Sequence, residues 1–227
     1  MLAIKSAPGY SDQHCVASAV FSVMDEALNE TMLLKEVHHR VKNNLQVICS
    51  LLSMQIDGAA GAACAAALND AYSRVQAISL IHEQIYQSES LSDLDFGEYV
   101  RALSQRLFAT YCVDPERIGI ELNVEPVRFD MQRATPCGLI LSELFSNALK
   151  YAFPDGRSGL IRVSLRRVSA GRMELRVEDN GCGLPADLDW QTTPSLGMQV
   201  VRTLSRQLRA EVSVRSGPAG TSFRFLA

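Results

Sequence analysis

The sequence has no apolar run approaching the roughly 20 residues that a membrane-spanning helix requires. The ten-residue stretch from Cys15 to Met24 is too short, and no basic residue lies close before it, which argues against a signal peptide. There is no long basic segment and the net charge is −3, so general affinity for nucleic acid is not expected. No two of the six cysteines (15, 49, 64, 112, 137 and 182) form a C-x-x-C pair, and most lie within apolar stretches. That pattern suits free, partly buried thiols in a reducing compartment better than a disulfide framework or a zinc site. Internal repeats are absent. His82-Glu83 lacks the second histidine of H-E-x-x-H, which excludes that metalloprotease motif. Asp95-Phe96-Gly97 has no Gly-rich loop or H-R-D loop beside it, so it is expected to be a helix start capped by Asp95 rather than a piece of a Ser/Thr/Tyr kinase. A cytoplasmic protein without membrane insertion is expected.

What remains is an ordinary globular composition, 47% hydrophobic and 21% charged over 227 residues, enough for one large domain or two small ones. Residues 1–15 carry Pro8, Gly9, Ser11 and Asp12 without periodicity and are expected to be a flexible leader. Helical periodicity runs from about Val16 to Ile56, stops at Asp57-Gly58, and resumes from about Gly61 to Gln87 through an alanine-rich start. Two long antiparallel helices have too little core to stand alone. Pairing with a second copy into a four-helix bundle would bury the surplus stripe, so a homodimer is expected. The division falls at a polar stretch, giving a hairpin over 16–90 and a second domain over 91–227. In the latter, helices are expected over 97–111, 131–153 and 196–208. Strands are expected over 118–124, 160–168, 173–178, 211–216 and 221–226. The fold class is α+β, with helices on one face of a sheet.

Within the first helix, Leu34, Val37, Val41, Leu45, Ile48 and Leu52 gather on one side at about 100° per residue. His38 falls at the edge of that face and His39 on the polar side with Glu36, Asn43, Gln46 and Ser50. Neutral imidazole is a competent nucleophile near neutral pH, which makes His39 the candidate nucleophile. Glu143 and Asn147 stand one turn apart on a later helix, expected to face away from its apolar residues, and are hard-oxygen donors suited to Mg²⁺. Asp179-Asn-Gly181-Cys-Gly183 follows a strand directly, where glycines permit backbone approach and the carboxylate can accept from an exocyclic amine. Ser195-Leu196-Gly197-Met198 opens a helix whose first amides can meet phosphate, and Gly220-Thr221 precedes the last strand.

His39-Arg-Val-Lys-Asn43-Asn-Leu-Gln46 resembles the phosphoacceptor helix of two-component sensor histidine kinases of the type-2 HisKA branch, H-R-x-K-N-N-L-Q. The ordered set E-x-x-x-N-A-x-K-Y, D-x-G-x-G, S-L-G and G-T resembles the GHKL (Bergerat-type) ATP-binding domain. The resemblance spans about residues 30–227. It implies autophosphorylation of His39 from ATP, then transfer to an aspartate of a response-regulator receiver domain. In that resemblance Asn147, with Glu143, would hold Mg²⁺. Lys150 and Tyr151 would approach the phosphates, and Asp179 would read the adenine amine. Gly181, Gly183 and the Ser195–Met198 segment would line the nucleotide, with Thr221 supporting the adenine end. Glu143 also stands where hydrolysing relatives keep their base. Asn43 is placed to orient water for the reverse, phosphatase reaction. Departures from the commoner pattern are a short lid, with 13 residues between Gly183 and Gly197, and Arg40 in place of an acid after the acceptor. Glu36, one turn back, is the expected substitute base. No sensor domain fits into the roughly 25 residues before the helix; the sensor is expected either as a separate partner protein or in a longer protein of which this chain is a piece. The alternatives are a histidine phosphotransferase that no longer binds ATP and a phosphatase-dominant regulator.

Overall fold

The computed structural model describes residues 10–87, 94–112, 114–169 and 171–227, with side chains from Met32 onward. Two antiparallel helices come first, α1 (Tyr10–Asp57) and α2 (Ala62–Gln87). Helix α1 begins at Tyr10, so the expected leader is corrected: residues 10–15 are helical, and residues 1–9 lie outside the described ones. The interdomain stretch 88–93 also lies outside them.

The second domain opens with β1 (Leu94–Asp95) and α3 (Phe96–Tyr111). Asp95 caps α3 as its sequence position implied, accepting from the Glu98 amide at 3.0 Å. Strands β2 (Ile118–Val124) and β3 (Arg128–Phe129) precede α4 (Met131–Asn147). After β4 (Gly159–Ser169) and β5 (Arg172–Asp179) come α5 (Leu196–Gln207), β6 (Glu211–Gly217) and β7 (Gly220–Leu226). The main sheet has the order β2-β4-β5-β7-β6, antiparallel except for β2 with β4. The parallel pair arises because α4 lies between those strands in the chain and must cross the sheet to return. A separate two-stranded ladder joins β1 to β3, pairing Leu94 with Phe129.

Alternation along the strands decides the layers. Ile161, Val163 and Leu165 of β4 face Leu175 and Val177 of β5 and Phe223 and Phe225 of β7, all buried on the helix-covered side. The other side is polar, and there the buried Glu174 carboxylate is bound by Arg166, Arg176 and Arg224. A buried acid of this kind survives because its charge is matched.

The hairpin does not stand apart. Ala77, Leu80, Ile81 and Ile85 of α2 are buried in the same core as Tyr99 and Leu103 of α3 and Ile140 and Leu144 of α4. Tyr99 is fully buried and donates its hydroxyl to the Ala77 carbonyl at 3.1 Å, tying α3 to α2. Its ring passes α4 at Gly138, where a Cβ would come within 2.0 Å of the Tyr99 hydroxyl oxygen. Gly138→Ala is therefore expected to destabilise the chain by about 1–3 kcal/mol, the usual cost of overpacking. A lowered denaturation midpoint with an unchanged slope is the expected reading; an unchanged midpoint would contradict this packing.

Candidate functional site: an acceptor histidine and a nucleotide cleft

On α1, His39 is half-buried rather than fully polar-facing, because its ring lies 5.2 Å from that of Tyr86 on α2. The sequence places it on the polar side of α1 with Asn43; there it also meets the ring of Tyr86. Asn43 comes within 3.4 Å of His39 Nδ1, so its amide can fix the tautomer of the ring. Glu36 is engaged elsewhere. Arg40 Nε donates to it at 2.8 Å, and that guanidinium holds its carboxyl below the usual carboxylate range, which weakens it as a base. His38 faces inward, with its Nδ1 2.9 Å from Nδ1 of His82. Beside this pair, Glu83 is bound by Lys42 and Arg106 at 3.2 Å each.

In the second domain, the end of β5 and the start of β7 are adjacent, pairing Asp179 with Thr221. Asp179 Oδ1 accepts from the Gly181 amide at 2.9 Å and the Thr221 amide at 3.2 Å. Burial, partly offset by those amides, raises its carboxyl above the ordinary value. Gly220 permits this junction, with φ of 116° and a would-be Cβ only 1.9 Å from the Asp179 carbonyl oxygen. Gly183, two residues beyond Gly181, packs its backbone against that of Gly217.

Glu143, Asn147 and Gly197 converge where α4 meets the start of α5. A Cβ on Gly197 would lie 2.6 Å from Glu143 Oε2 and 3.9 Å from Asn147 Nδ2, so the start of α5 approaches both side chains closely. The flanking residues of that segment spread apart: Met198 is buried, Leu196 is exposed, and Ser195 makes no side-chain bond to the helix it begins. The lid before it is anchored by Arg202, which donates to the carbonyls of Trp190 and Thr193 at 2.7 and 3.0 Å. Its hollow of about 450 Å³ is lined by lid residues such as Asp189 and Thr193, not by Asp179.

Two expectations need correction here. Helix α4 does not run on to Phe153; it ends at Asn147 and widens into a π-turn over Ala148–Ala152. The Ala152 carbonyl at its end accepts from the Cys182 amide at 2.9 Å, which couples the turn to the glycine loop. Glu143 is not on a solvent face either: it is 5% exposed, because Arg74 of α2 binds both its oxygens at 2.5 and 3.1 Å. Lys150, within the π-turn, is ion-paired to Asp70 of α2 and lies 4.8 Å over the Tyr111 ring, while Tyr151 is exposed. Arg74 and Asp70 were not among the expected site residues. Their one-turn spacing on α2 was visible, but nothing in sequence said which domain they face.

Comparison with known proteins decides the family. Residues 36–111 match the HisKA_2 family, described as histidine kinase, and residues 133–227 match the histidine kinase-, DNA gyrase B- and HSP90-like ATPase family. The chain is a type-2 HisKA histidine kinase core. Blue-light-activated histidine kinase 2 of Erythrobacter litoralis is 30% identical over 201 residues, covering 87% of this chain and 57% of that protein. Sensor histidine kinase PdtaS of Mycobacterium tuberculosis is 32% identical over 198 residues, 84% of this chain and 38% of that protein. The kinase core thus spans between about two fifths and three fifths of these relatives. The histidine kinase domain of E. litoralis EL346 superposes with a TM-score of 0.66 at 28% identity, covering 84% of this chain and 90% of that one.

The His38–His82 contact of the kinase core carries a pH dependence with a definite sign. One nitrogen must donate and the other accept, which neutral rings supply. Burial, and then the neighbouring His38, push His82 down from 6.5 to about 4, and burial also lowers His38. The folded state therefore favours neutral rings. Their contribution is fully present above pH 6.5 and is lost as pH falls toward about 4. The wild-type melting temperature is expected to drop through this window more steeply than that of His82→Gln. Parallel profiles for the two proteins would contradict it.

Proposed function

We propose that this kinase core binds ATP with Mg²⁺ in the cleft between Asp179 and Asn147 and transfers the γ-phosphoryl group to His39. The phosphoryl group then passes to an aspartate of a response-regulator receiver domain. The observation that carries this reading is the clasped Asp179 carboxylate, fixed by the Gly181 and Thr221 amides where a purine amine can donate to it. Fit to the metal rests on Glu143 and Asn147 meeting at Gly197, and it requires Arg74 to release both Glu143 oxygens first. Two oxygen-bearing side chains beside an approachable backbone suit an ion that keeps waters and phosphate as further ligands. When bound, Mg²⁺ would offset charge on the β- and γ-phosphates.

The chain's own residues do the rest. Asp179 orients the base, Lys150 offers a cation to the phosphates once Asp70 gives way, and the amides at the start of α5 face the phosphate end. In the transfer, the bond from the γ-phosphorus to the bridging oxygen breaks and ADP leaves with the electron pair, while a bond to the His39 ring forms. For Nε2 to attack with its lone pair, Nδ1 must carry the ring proton, so the Asn43 amide 3.4 Å from Nδ1 has to present its oxygen there, and after the transfer that proton passes to water. Glu36, occupied by Arg40, is left out of the proton path.

In the described arrangement His39 lies beside Tyr86, whereas Glu143 lies beside Arg74 and Lys150 beside Asp70. At 1.5 Å per residue, these levels on α2 differ by roughly 15–25 Å. Transfer therefore requires the second domain to move along the hairpin or to serve the acceptor of another copy. A second copy is supported by the apolar surface that α1 leaves open. Met32, Leu33, Val47, Leu51 and Met54 are all more than half exposed, and Ile48 is 43% exposed. We place this homodimer in the cytoplasm. No described helix is long and apolar enough to cross a membrane, and the five cysteines whose side chains are described are free thiols.

Two experiments follow. Incubation with γ-labelled ATP is expected to give an acid-labile, base-stable label that His39→Ala abolishes and His38→Ala only reduces. A label that survives His39→Ala would overturn the assignment. For assembly, Ile48→Glu is expected to turn a dimer into a monomer in light scattering while leaving nucleotide affinity unchanged; a monomeric wild-type chain at micromolar concentration would contradict the bundle.

A further inference from the structure

We propose that α2 occupies the nucleotide site of its own chain as a charge surrogate for the metal–phosphate group, so that nucleotide binding and this docked posture exclude each other. The inference rests on the nucleotide reading above. Asp70 and Arg74 stand one turn apart and present a carboxylate and a guanidinium on one face of α2. The carboxylate is ion-paired to Lys150, where a phosphate would sit, and the guanidinium binds both oxygens of Glu143, where a divalent cation would sit. An anion on the cation and a cation on the acid reproduce the charges that a magnesium nucleotide brings.

Burial makes the exchange all-or-none. Only 6% of the Glu143 side chain, 19% of Arg74 and 18% of Lys150 remain accessible. None of these groups can lose its partner without another charge replacing it at once. The posture is braced by Tyr111, whose hydroxyl is 2.7 Å from that of Ser73 and donates to the Asn69 carbonyl at 2.9 Å. Burial pushes that phenol up to about 12, so it stays a donor. The apolar part of α2 lies further along the helix, at Ala77 to Ile85, so the charged pair can open without dissolving the core. By linkage, nucleotide must loosen this contact by the same factor by which the contact weakens nucleotide.

The test is calorimetric binding of magnesium adenylyl imidodiphosphate to the full chain, as wild type, as Asp70→Asn, and as Asp70→Asn with Arg74→Gln. If the docked posture holds about nine-tenths of the molecules, removing it tightens apparent affinity about tenfold. The double variant is expected to show that gain and Asp70→Asn a part of it. Equal or weaker affinity in the double variant, with measurable wild-type binding, overturns the proposal alone. No binding by any of the three proteins overturns the nucleotide reading beneath it. On the unaltered chain, hydrogen exchange in the part of α2 that contains Asp70 and Arg74 is expected to quicken when the same nucleotide saturates. Unchanged or slower exchange there also overturns the proposal.

Discussion

The burial of Ala77, Leu80, Ile81 and Ile85 against α3 and α4 sets where every other part of this chain can be. Each fully buried aliphatic side chain of this kind contributes about 1.5–3 kcal/mol. That far exceeds the 0–1 kcal/mol of an exposed ion pair. The apolar contact thus decides that the second domain sits on α2. The buried Glu143, matched by the half-buried Arg74, then decides what the domain touches there, since a buried acid tolerates only a matched neighbour. The same helix that builds the hairpin therefore completes the core of the nucleotide domain.

Function is divided along α2 in consequence. Near Tyr86 and His82 the helix meets His39 and His38, the former the proposed acceptor, and near Arg74 and Asp70 it binds Glu143 and Lys150, the proposed metal and phosphate residues. The proposed adenine end is built without it, from Asp179, Gly181 and Thr221 at a strand junction. On the proposed reading, the adenine end is open in the docked posture, whereas the phosphates and metal of a nucleotide have to displace α2. In the proposed function, a movement that brings nucleotide to His39 has to break two ion pairs, one with the buried Glu143 and one between the half-buried Lys150 and Asp70.

Most of this fold was legible because its signals are local. The Asp95 cap, the alternation in β2, β4 and β5, and the glycine loop after Asp179 each depend on residues a few positions apart. The acceptor helix was legible for the same reason, and His38 and His39 fell into different environments from periodicity alone. The half-burial of His39 was not, because it depends on Tyr86 from another helix. Glu143 was expected at a solvent face, since its helix places it opposite Leu141 and Leu144; only the arrival of Arg74 buries it. The π-turn at Lys150 likewise depends on a bond from Cys182, some thirty positions away. Long-range partners, rather than weak propensities, account for each miss.

The central claim is that a buried ion pair between α2 and α4 couples the hairpin to the nucleotide domain. A double-mutant cycle in denaturant unfolding, with Arg74→Ala, Glu143→Ala and the double variant, measures that coupling directly. The account predicts a coupling energy of about 1–3 kcal/mol, in the range of contacting buried charges. Additive effects of the two substitutions, within error, would contradict it.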